Sequence, residues 1–430
     1  MASHFYIRFA IVLVLLVGHC AFWIHWFNRI NATGLKRTTI KTIEKSIIGV
    51  CFALPALAIY LDHQSLANWF GIITPSKTPS ETSVDSTSIW TQNTFNLNPL
   101  NLNPFSLADA WFSKFLALIS LGYLLWQTPT WLTSRRRLVA AKSHARVLAC
   151  HTIDMKAELG ADRLFVHPVF SFMGKLPLNE LHWIQSVTEE LAVRNLPSQL
   201  KGLRIGHLSD VHLTGYMANE YYHRAIECLV AQTPDIVVMS GDLIDYEHCL
   251  RQVQPLLEPI QPRYGAYFVL GNHDRRLPDV QRLRSMITEL GWFDLGHQSR
   301  SVEIRGQEVY LVGSERPWFD PAHRKQDETS TEPFRKSAAL RIGVSHSPDQ
   351  IHWARKLDLQ LLFCGHNHGG QVQLPIIGPL VAPSYFGSRF AGGWFDESPT
   401  WMRVSRGLSG TQPLRFRCMP EVSVTRLEKS

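Results

Sequence analysis

Long uncharged apolar stretches dominate the first third of the chain. Residues 9–27 form a run of 19 uncharged residues rich in Ile, Val, Leu and Phe, and residues 115–132 form another of 18. Stretches of this length cross a bilayer as helices. Residues 46–61 form a shorter run that contains Pro55, so this run can span, re-enter or be a buried helix. A cleaved signal peptide is the competing reading of the first run, but the small-residue cleavage site is missing.

Shorter apolar runs take over from residue 203 onward. Strand-like runs lie at 203–208, 235–240, 266–270, 309–313, 340–345 and 359–364. Helical periodicity lies between them, at 219–231, 247–257, 279–290 and 350–356. This alternation predicts an α/β domain. We therefore expect a membrane domain over residues 1–146, a connecting segment over 147–196 with a helix near 179–186, and the α/β domain over 197–430.

Charge between the apolar runs predicts their orientation. Residues 28–45 carry five basic residues against one acid, and residues 133–146 carry five against none. Residues 62–110 carry one basic residue against four acids. The positive-inside rule places the first two segments in the cytoplasm and 62–110 in an extracytoplasmic loop. The chain is thus predicted to be an integral protein of the inner membrane, with about three spans and a cytoplasmic C-terminal domain.

The composition of the chain argues against several classes of protein. With 45% hydrophobic and 18% charged residues, the chain is neither disordered nor fibrous. Residues 1–150 carry 13 Lys/Arg against 5 Asp/Glu, whereas the remainder carries 30 against 31, so the near-neutral C-terminal part disfavours nucleic-acid binding. Seven cysteines without a C-x-x-C pair fit neither a disulfide framework nor a cysteine-ligated zinc site.

Five of the strand-like runs end in residues that can bind metal. In order they are Asp210-Val-His212, Gly241-Asp242-Leu-Ile-Asp245, Gly271-Asn272-His273-Asp274, Ser345-His346 and Gly365-His366-Asn-His368. Ligand sites in α/β sheets lie at the carboxyl ends of the strands, so these segments are expected to converge. Alone, Asp-x-His is close to chance and Gly-Asp-x-x-Asp is usually a turn. Five such motifs, each directly after an apolar run, favour a functional site.

The donor set narrows the choice of metal. The candidates are Asp210, His212, Asp242, Asn272, His346, His366 and His368. Four imidazoles with carboxylates and an amide suit Mn, Fe, Zn or Co and suit Ca or Mg alone poorly. Seven donors exceed the needs of one ion. Two ions about 4 Å apart that share a carboxylate are the arrangement used in phosphoryl hydrolysis.

This series of motifs resembles that of the calcineurin-like metallophosphoesterase superfamily, and the wording around it is similar to the membrane-associated bacterial branch. The resemblance covers roughly residues 196–426, and its departure is Ser345, where many relatives have Gly. It implies a fold of two facing mixed β-sheets flanked by helices. It also implies two divalent transition-metal ions, with Mn²⁺ expected and Fe, Zn or Co as alternatives.

The resemblance also implies roles for the motif residues. One metal would be held by Asp210, His212, Asp242 and His368, and the other by Asp242, Asn272, His346 and His366. His273 would face the substrate and protonate the leaving oxygen, and Asp274 would orient the His273 ring. A metal-bridging hydroxide is the implied nucleophile.

The function expected from these features is a membrane-anchored phosphoesterase that hydrolyses phosphodiester or pyrophosphate bonds. By resemblance, its substrate could be lipid-linked, such as UDP-2,3-diacylglucosamine in lipid A synthesis. The alternatives are a phosphodiesterase of a soluble or cyclic nucleotide and a membrane-tethered, non-catalytic binding protein. The bilayer is an expected partner, nucleic acid is not, and the oligomeric state stays open.

Several other residues have two interpretations. Asp245 can support a metal-binding histidine or be a solvated loop acid. Arg275 and Arg276 are candidates for binding substrate, against exposed charges at a helix start. His207 is expected to be a core histidine. The aromatics Trp318, Phe319, Tyr385, Phe386, Phe390, Trp394, Phe395 and Trp401, with the apolar hairpin 374–379, can form a lipid-facing lip or pack in the core.

Overall fold

The structure is a computed structural model of the chain. It describes residues 2–70, 111–141, 144–296, 298–319 and 337–430. The chain divides into two compact units. The first comprises Met1–Trp26 and Thr38–Thr130, and the second comprises Phe27–Arg37 and Trp131–Ser430. The predicted extracytoplasmic loop 62–110 lies mostly outside the described residues.

Three long helices cover the predicted membrane segments: α1 (Ala2–Asn31), α2 (Arg37–Phe70) and α3 (Trp111–Ala141). The stretches Tyr6–Asn31 and Arg37–Asp62 are long and apolar enough to cross a membrane, with mean hydropathies of 2.2 and 1.6. Among the described helices, α3 does not reach that apolarity. The structure thus supports two candidate spans, and the third stays a prediction.

The helices of the first unit approach one another closely at small and polar residues. A Cβ on Gly18 would lie 2.5 Å from the Ser120 carbonyl oxygen. His19 Nε2 lies 2.9 Å from the carbonyl oxygen of Cys51. Small residues that let helix backbones approach are typical of packing between membrane helices.

The second unit is mixed α/β. Its strands are β1 (Ala145–Asp154), β2 (Trp183–Val193), β3 (Arg204–Leu208), β4 (Ile236–Ser240), β5 (Ala266–Val269), β6 (Phe293–Asp294), β7 (Arg300–Ile304), β8 (Gln307–Ser314), β9 (Leu340–Ser345), β10 (Leu361–Cys364), β11 (Gln373–Leu374), β12 (Gly378–Pro379), β13 (Gly393–Glu397), β14 (Thr400–Val404) and β15 (Glu421–Lys429). Its helices are α4 (Met155–Leu159), α5 (Ala161–Leu164), α6 (Pro168–Gly174), α7 (Asn219–Ala231), α8 (Val253–Leu257), α9 (Val280–Glu289) and α10 (Ile351–Lys356).

The strands form two large mixed sheets. One has the order β1-β2-β15-β3-β4-β5-β6 and the other β13-β14-β10-β9-β8-β7. Strands β3, β4 and β5 are parallel neighbours in the first, and β8, β9, β10 and β14 are parallel neighbours in the second. Parallel neighbours end on the same side of a sheet, so the segments that follow these strands are brought together. The two mixed sheets that the family resemblance implies are confirmed.

A shared apolar core lies between the two sheets. Val238 and Val269 of the first sheet and Val344 and Phe363 of the second belong to one buried cluster. A second cluster packs α7, α8 and α9 on the outer face of the first sheet, and a third packs α10 on the second sheet. The strands buried on both faces read as continuous apolar runs, because neither face meets water.

A buried ion-pair network also joins the sheets. The Arg403 guanidinium of β14 donates to Glu189 of β2 at 2.8 Å and to Glu421 of β15 at 3.0 Å. Burial opposes the charge on Glu421, but Arg403 and Arg406 together hold the pKa of its carboxyl well below its usual range. This network pairs the buried charges at the junction of the sheets.

The predicted strands and helices of residues 203–364 are present with small shifts of their ends. The exception is the helix predicted over 247–257, which is a 3-10 helix over Glu247–Gln252 followed by the short α8. The helix predicted near 179–186 is wrong, because strand β2 begins at Trp183. The segment 147–196, predicted as a connection, contributes most of β1 and all of β2 to the first sheet. Strand β2 pairs in parallel with β15, with Gln185 opposite Glu421. A partner so distant in sequence leaves no local signal.

Candidate metal centre

The motif residues meet at the carboxyl ends of the parallel strands. Ser209 to His212 follow β3, Gly241 to Asp245 follow β4, and Asn272 to Asp274 follow β5. From the second sheet, His346 follows β9, and His366 and His368 follow β10. In the described part of the chain, three groups have their ligand atoms within 4.8 Å of one another: Asp210, His212 and His368; His212, Asp242 and His273; and Asp242, His346 and His366.

The first group surrounds the Nε2 atom of His368. This nitrogen lies 3.3 Å from Asp210 Oδ1 and 3.2 Å from His212 Nε2. His212 Nε2 lies 3.6 Å from Asp242 Oδ2. Asp210, His212 and His368 therefore bring their donor atoms within 4.8 Å of one another, and Asp242 joins this group through its contact with His212.

The second group surrounds the Nε2 atom of His346. This nitrogen lies 3.2 Å from Asp242 Oδ2, 3.1 Å from Asn272 Oδ1 and 3.2 Å from His366 Nδ1. His346, Asp242 and His366 are buried. The four residues assigned to the other metal are likewise gathered around one point.

Asp242 contacts one histidine of each of these two groups through a single oxygen. Its Oδ2 faces His212 Nε2 on one side and His346 Nε2 on the other. Its Oδ1 accepts a hydrogen bond from the backbone N–H of His273 at 2.8 Å. The backbone thus fixes the carboxylate so that one oxygen stands between the two donor groups.

The spacing of the donors fits metal ions. Two donors bound about 2.1 Å from one ion lie about 3.0–3.4 Å apart. The contacts around His368 and His346 are 3.1–3.3 Å. The ring tautomers fit as well, because His212 Nδ1 faces Asp245 Oδ2 at 2.7 Å and His346 Nδ1 faces the Ser240 carbonyl at 2.7 Å. Each ring can donate its Nδ1–H outward and keep Nε2 for a metal.

Strained backbone holds the donors. Asp210, His212, Asp242, His366 and His368 have φ values of 51°, 50°, 54°, 69° and 48°, in the left-handed region that non-glycine residues rarely adopt. Glycines give the necessary space: a Cβ on Gly365 would lie 2.3 Å from Asp210 Oδ2, and one on Gly271 would lie 2.2 Å from Asp242 Oδ1. Strain of this kind is typical of functional sites.

Carboxylates raise the pKa values of two buried imidazoles, whereas burial holds the pKa values of His366 and His368 well below their usual range. Burial lowers the pKa of His212, but Asp245, Asp242 and Asp210 together outweigh it and raise the pKa of this ring to about 9. Burial likewise lowers the pKa of His346, while Asp242 and Asp210 raise it to about 9. Negative charge is therefore concentrated where a cation would bind.

The ring of His273 is held by a residue other than the predicted one. His273 Nδ1 contacts Asp245 Oδ1, and the other oxygen of Asp245 contacts His212. Asp274, predicted to orient this ring, instead accepts hydrogen bonds from the backbone N–H groups of Asp242, Leu243, Ile244 and Gly271 at 2.8–3.0 Å. It joins the loops after β4 and β5, because its short side chain is buried between their amides. The signal for Asp245 was its position in Gly-Asp-x-x-Asp.

The remaining candidate residues differ in whether they lie beside the donor groups. Arg276 Nη1 lies 3.9 Å from Asp245 Oδ1, beside the site, whereas Arg275 Nη1 donates to the Gly34 carbonyl at 3.2 Å. His207 is buried, its Nε2 lies 2.8 Å from Ser240 Oγ, and burial lowers its pKa to about 3. This contact fits the expected core histidine.

Most of the aromatics considered for a lip pack in the interior. Trp318, Phe390, Trp394, Phe395 and Trp401 are buried. The Trp318 ring lies against the rings of His346 and His366, with centroids 5.1 and 4.7 Å apart. Tyr385 is exposed. The hairpin predicted at 374–379 is present as β11 and β12.

The sequence profile of the calcineurin-like phosphoesterase family matches residues 203–370. The chain contains a calcineurin-like metallophosphoesterase domain. The predicted family is thereby confirmed, and the protein is a hydrolase of the metallophosphoesterase class. All seven predicted donors, with His273 and Asp274, lie inside the matched part of this metallophosphoesterase domain.

Three relatives illustrate the range of similar proteins. YkuE of Bacillus subtilis, an uncharacterised metallophosphoesterase, is 29% identical over 58% of this chain and 88% of its own length. The phosphodiesterase YaeI of Escherichia coli is 23% identical over 60% of this chain and 93% of its own length. The UDP-2,3-diacylglucosamine pyrophosphatase LpxG of Chlamydia muridarum is 24% identical over 53% of this chain and 84% of its own length.

Proposed function

We propose that this protein is a membrane-anchored phosphoesterase with two divalent metals, which hydrolyses a phosphodiester or pyrophosphate bond on the cytoplasmic side of the inner membrane. The observation that carries the proposal is the position of Asp242 Oδ2 between His212 Nε2 and His346 Nε2. Two bound divalent cations would supply positive charge for the phosphoryl oxygens and would lower the pKa of an attacking water. Mn²⁺ is the metal that we expect.

The chain's own residues divide the remaining work. Asp210, His212, Asp242 and His368 would hold one cation, and Asp242, Asn272, His346 and His366 the other. Because Asp245 fixes Nδ1 of His273, the Nε2 side of that ring is left toward the substrate, 4.0 Å from Asp242 Oδ2. Burial lowers the pKa of His273, and an anionic phosphate beside Nε2 would favour the protonated ring. That proton would pass to the leaving oxygen.

The Arg276 guanidinium beside the site would also bind the anionic substrate phosphate. Arg276 lies 3.9 Å from Asp245 Oδ1, the oxygen that also contacts the His273 ring. Guanidinium groups bind phosphate through paired hydrogen bonds. We assign Arg276 to the substrate phosphate, and Arg275 to the contact with Gly34.

The substrate that we propose is an amphiphile with a phosphodiester or pyrophosphate bond, such as UDP-2,3-diacylglucosamine. The relative LpxG bears the name of a pyrophosphatase of that lipid, and YaeI the name of a phosphodiesterase. Two candidate membrane helices in the same chain would place the catalytic domain beside lipid substrates. The basic segments 28–45 and 133–146 support a cytoplasmic orientation.

A soluble nucleotide is the second candidate substrate. A cleft of about 380 Å³ opens beside the site and is lined by Val166, His167, Pro168, Thr214, Gly215, Tyr216, Tyr246 and His248. Tyr246 directly follows Asp245 in the sequence, and the rings of Tyr246 and His248 are stacked 5.6 Å apart. Aromatic rings of this kind stack on nucleobases. The cleft therefore suits a nucleotide part, whether free or joined to a lipid.

The test is a substrate panel with the full chain purified in detergent. Metal-free protein is compared with protein loaded with Mn²⁺ on bis-p-nitrophenyl phosphate, UDP-2,3-diacylglucosamine and cyclic AMP. We expect metal-dependent hydrolysis of the first two. Turnover of cyclic AMP alone would favour the soluble nucleotide, and no metal-dependent turnover of any of them would contradict the proposal.

Two variants separate the metal from the proton donor. We expect Asp242→Asn to lose both bound metal and activity, because the shared carboxylate disappears. We expect His273→Ala to keep its metal and to lose about 10²–10⁴-fold in kcat, the range of general acid catalysis. Asp396→Asn and His223→Ala, outside the site, are the matched controls. Wild-type rates for both site variants would refute the assignment.

A further inference from the structure

The hairpin formed by β11 and β12, with the turn after it, exposes a row of apolar side chains. Ile376 at its tip is 96% exposed. Ile377, Leu380, Val381 and Tyr385 are exposed as well, each between 38% and 48%. We call residues 374–385 the apolar lip. Contiguous exposed apolar side chains of this kind mark an interaction surface.

Residues that follow the first apolar run form hydrogen bonds with the backbone of the lip. Asn28 donates its side-chain N–H to the Leu380 carbonyl at 3.1 Å, and its Oδ1 accepts from the Ala382 N–H at 3.0 Å. Arg29 donates to the Tyr385 carbonyl at 3.1 Å. In the sequence, Asn28 directly follows the uncharged run 9–27. If that run spans the bilayer, the lip lies where the chain leaves it.

The segment that follows the apolar run 115–132 also binds the lip. Arg135 donates to the Ile377 carbonyl, and it follows the uncharged run 115–132 by three residues. Two segments of the chain can bind one loop only if both emerge on the same side of the bilayer, whose apolar part is about 30 Å thick. The contacts therefore support a third span as well as the position of the lip.

Charge and aromatic residues around the lip suit a lipid interface. The Arg135 guanidinium lies 5.6 Å from the centre of the Trp131 ring, and Arg29 binds the lip at the Tyr385 carbonyl. Tryptophan and tyrosine collect at the headgroup level of membranes. Arginines there attract the anionic headgroups of the cytoplasmic leaflet.

The segment that follows α1 also contacts residues next to the metal centre. Residue Gly34, which follows α1, accepts a hydrogen bond from Arg275, and its Cα packs so closely on Pro317 that a Cβ would lie 2.5 Å from the Pro317 oxygen. Pro317 adjoins Trp318, whose ring covers the rings of His346 and His366. The segment that leaves the first apolar run thus touches residues adjoining both the lip and the donors.

We propose that the apolar lip inserts into the cytoplasmic leaflet of the bilayer and holds the metal centre at the lipid surface. An amphiphilic substrate would then reach the donors with its headgroup while its chains stay in the leaflet. This inference rests on the proposed function only for the choice of a lipid substrate. Insertion of the lip itself is a separate physical claim and can be measured without catalysis.

The direct test places a fluorophore on the lip. The full chain, with the partly or fully exposed Cys20, Cys51, Cys150 and Cys228 replaced by alanine, is reconstituted in lipid nanodiscs after labelling of Ile376→Cys. Lipids brominated in their acyl chains quench fluorophores that enter the leaflet. The matched control is Gln261→Cys, an exposed position before β5, at the opposite end of the strands from the metal centre.

We expect brominated lipids to quench the label at Ile376→Cys at least about threefold more than the label at Gln261→Cys, because insertion places the first among acyl chains. Equal quenching at the two positions would overturn the proposal. So would a disulfide between two copies of the unlabelled Ile376→Cys protein together with no quenching of the labelled protein, which would assign the surface to self-association.

A second test measures the consequence for catalysis. Ile376→Asp with Ile377→Asp places two charges in the lip, and Gln199→Asp with Gln261→Asp adds the same charges at the opposite end of the strands. In nanodiscs, we expect the lip variant to lose about 10-fold or more on UDP-2,3-diacylglucosamine, since charges resist insertion into the leaflet. It should keep its rate on soluble bis-p-nitrophenyl phosphate, and the control should keep both rates.

The two proposals fail in different ways. Strong quenching at Ile376→Cys without lipid hydrolysis by the wild-type protein would leave the lip standing and refute the proposed substrate. Lipid hydrolysis without quenching, or with equal rates in the lip variant, would leave the substrate standing and refute the lip.

Discussion

The backbone N–H of His273 donates a hydrogen bond of 2.8 Å to Asp242 Oδ1. Two adjacent motifs are joined by this contact, because Asp242 follows β4 and His273 follows β5. It occupies one oxygen of the carboxylate and leaves the other between His212 and His346. The same loop therefore carries the substrate-facing imidazole and positions the oxygen that both donor groups share.

Asp245 is predicted to affect both metal binding and proton transfer. In Asp245→Asn, His212 loses its anionic partner, and we expect the affinity for metal to fall by about 10–100-fold. Asp245 also raises the pKa of His273, so its loss lowers that pKa and leaves less of the ring protonated. The alkaline limb of the kcat profile should move to lower pH. Metal titration and a pH series of kcat test this, and an unchanged limb would contradict it.

Asp274 is predicted to act on stability. Asp274→Ala leaves the amides of Asp242, Leu243, Ile244 and Gly271 without their acceptor, at about 1–3 kcal/mol for each buried group that stays unsatisfied. We expect a large loss of thermal stability in the metal-free protein. Asp245→Asn is the comparison, and it should lose far less. A stable Asp274→Ala protein with an altered pH profile would instead restore the orienting role.

Gly271, which follows β5, allows the position of the Asp242 carboxylate to be tested without removing any donor. In Gly271→Ala, the new Cβ would lie 2.2 Å from Asp242 Oδ1, so the carboxylate has to move. We expect metal affinity to fall by about 10–100-fold although no donor has been removed. Gly122→Ala, at another glycine without a positive φ and with open space around its Cβ, controls for the added methyl group. Equal metal affinity in both variants would refute the explanation.

Metal binding is predicted to release protons. Burial lowers the pKa values of His212 and His346, but the surrounding carboxylates raise both to about 9, so at pH 7.5 both rings of the metal-free protein are protonated. A metal ligand must be neutral, and we expect about two protons to leave these rings on loading. Affinity should therefore rise with pH up to about 9. Calorimetric titration with Mn²⁺ in two buffers of different ionisation enthalpy measures the protons, and identical heats would contradict the prediction.

The chemistry of the site could be predicted before the fold was known. The ligand atoms belong to short motifs that directly follow apolar runs, and β3, β4, β5, β9 and β10 lie close to where those runs predict them. Buried parallel strands leave such runs because both of their faces exclude water. The donor residues had to be of a few chemical types, so their identities were visible in the sequence as well.

The tertiary structure decided the contacts between distant segments. Strand β2 was missed although one partner, β1, is nearby, because the strand is held between β1 and β15, which lies at the other end of the chain. Asp245 rather than Asp274 holds His273 because the loops after β4 and β5 fold over one another. Likewise, only the fold brings Asn28 and Arg135 to the lip. Local periodicity and donor chemistry are properties of short stretches and can be read from them, whereas pairing across the chain depends on how all the buried surfaces are matched at once.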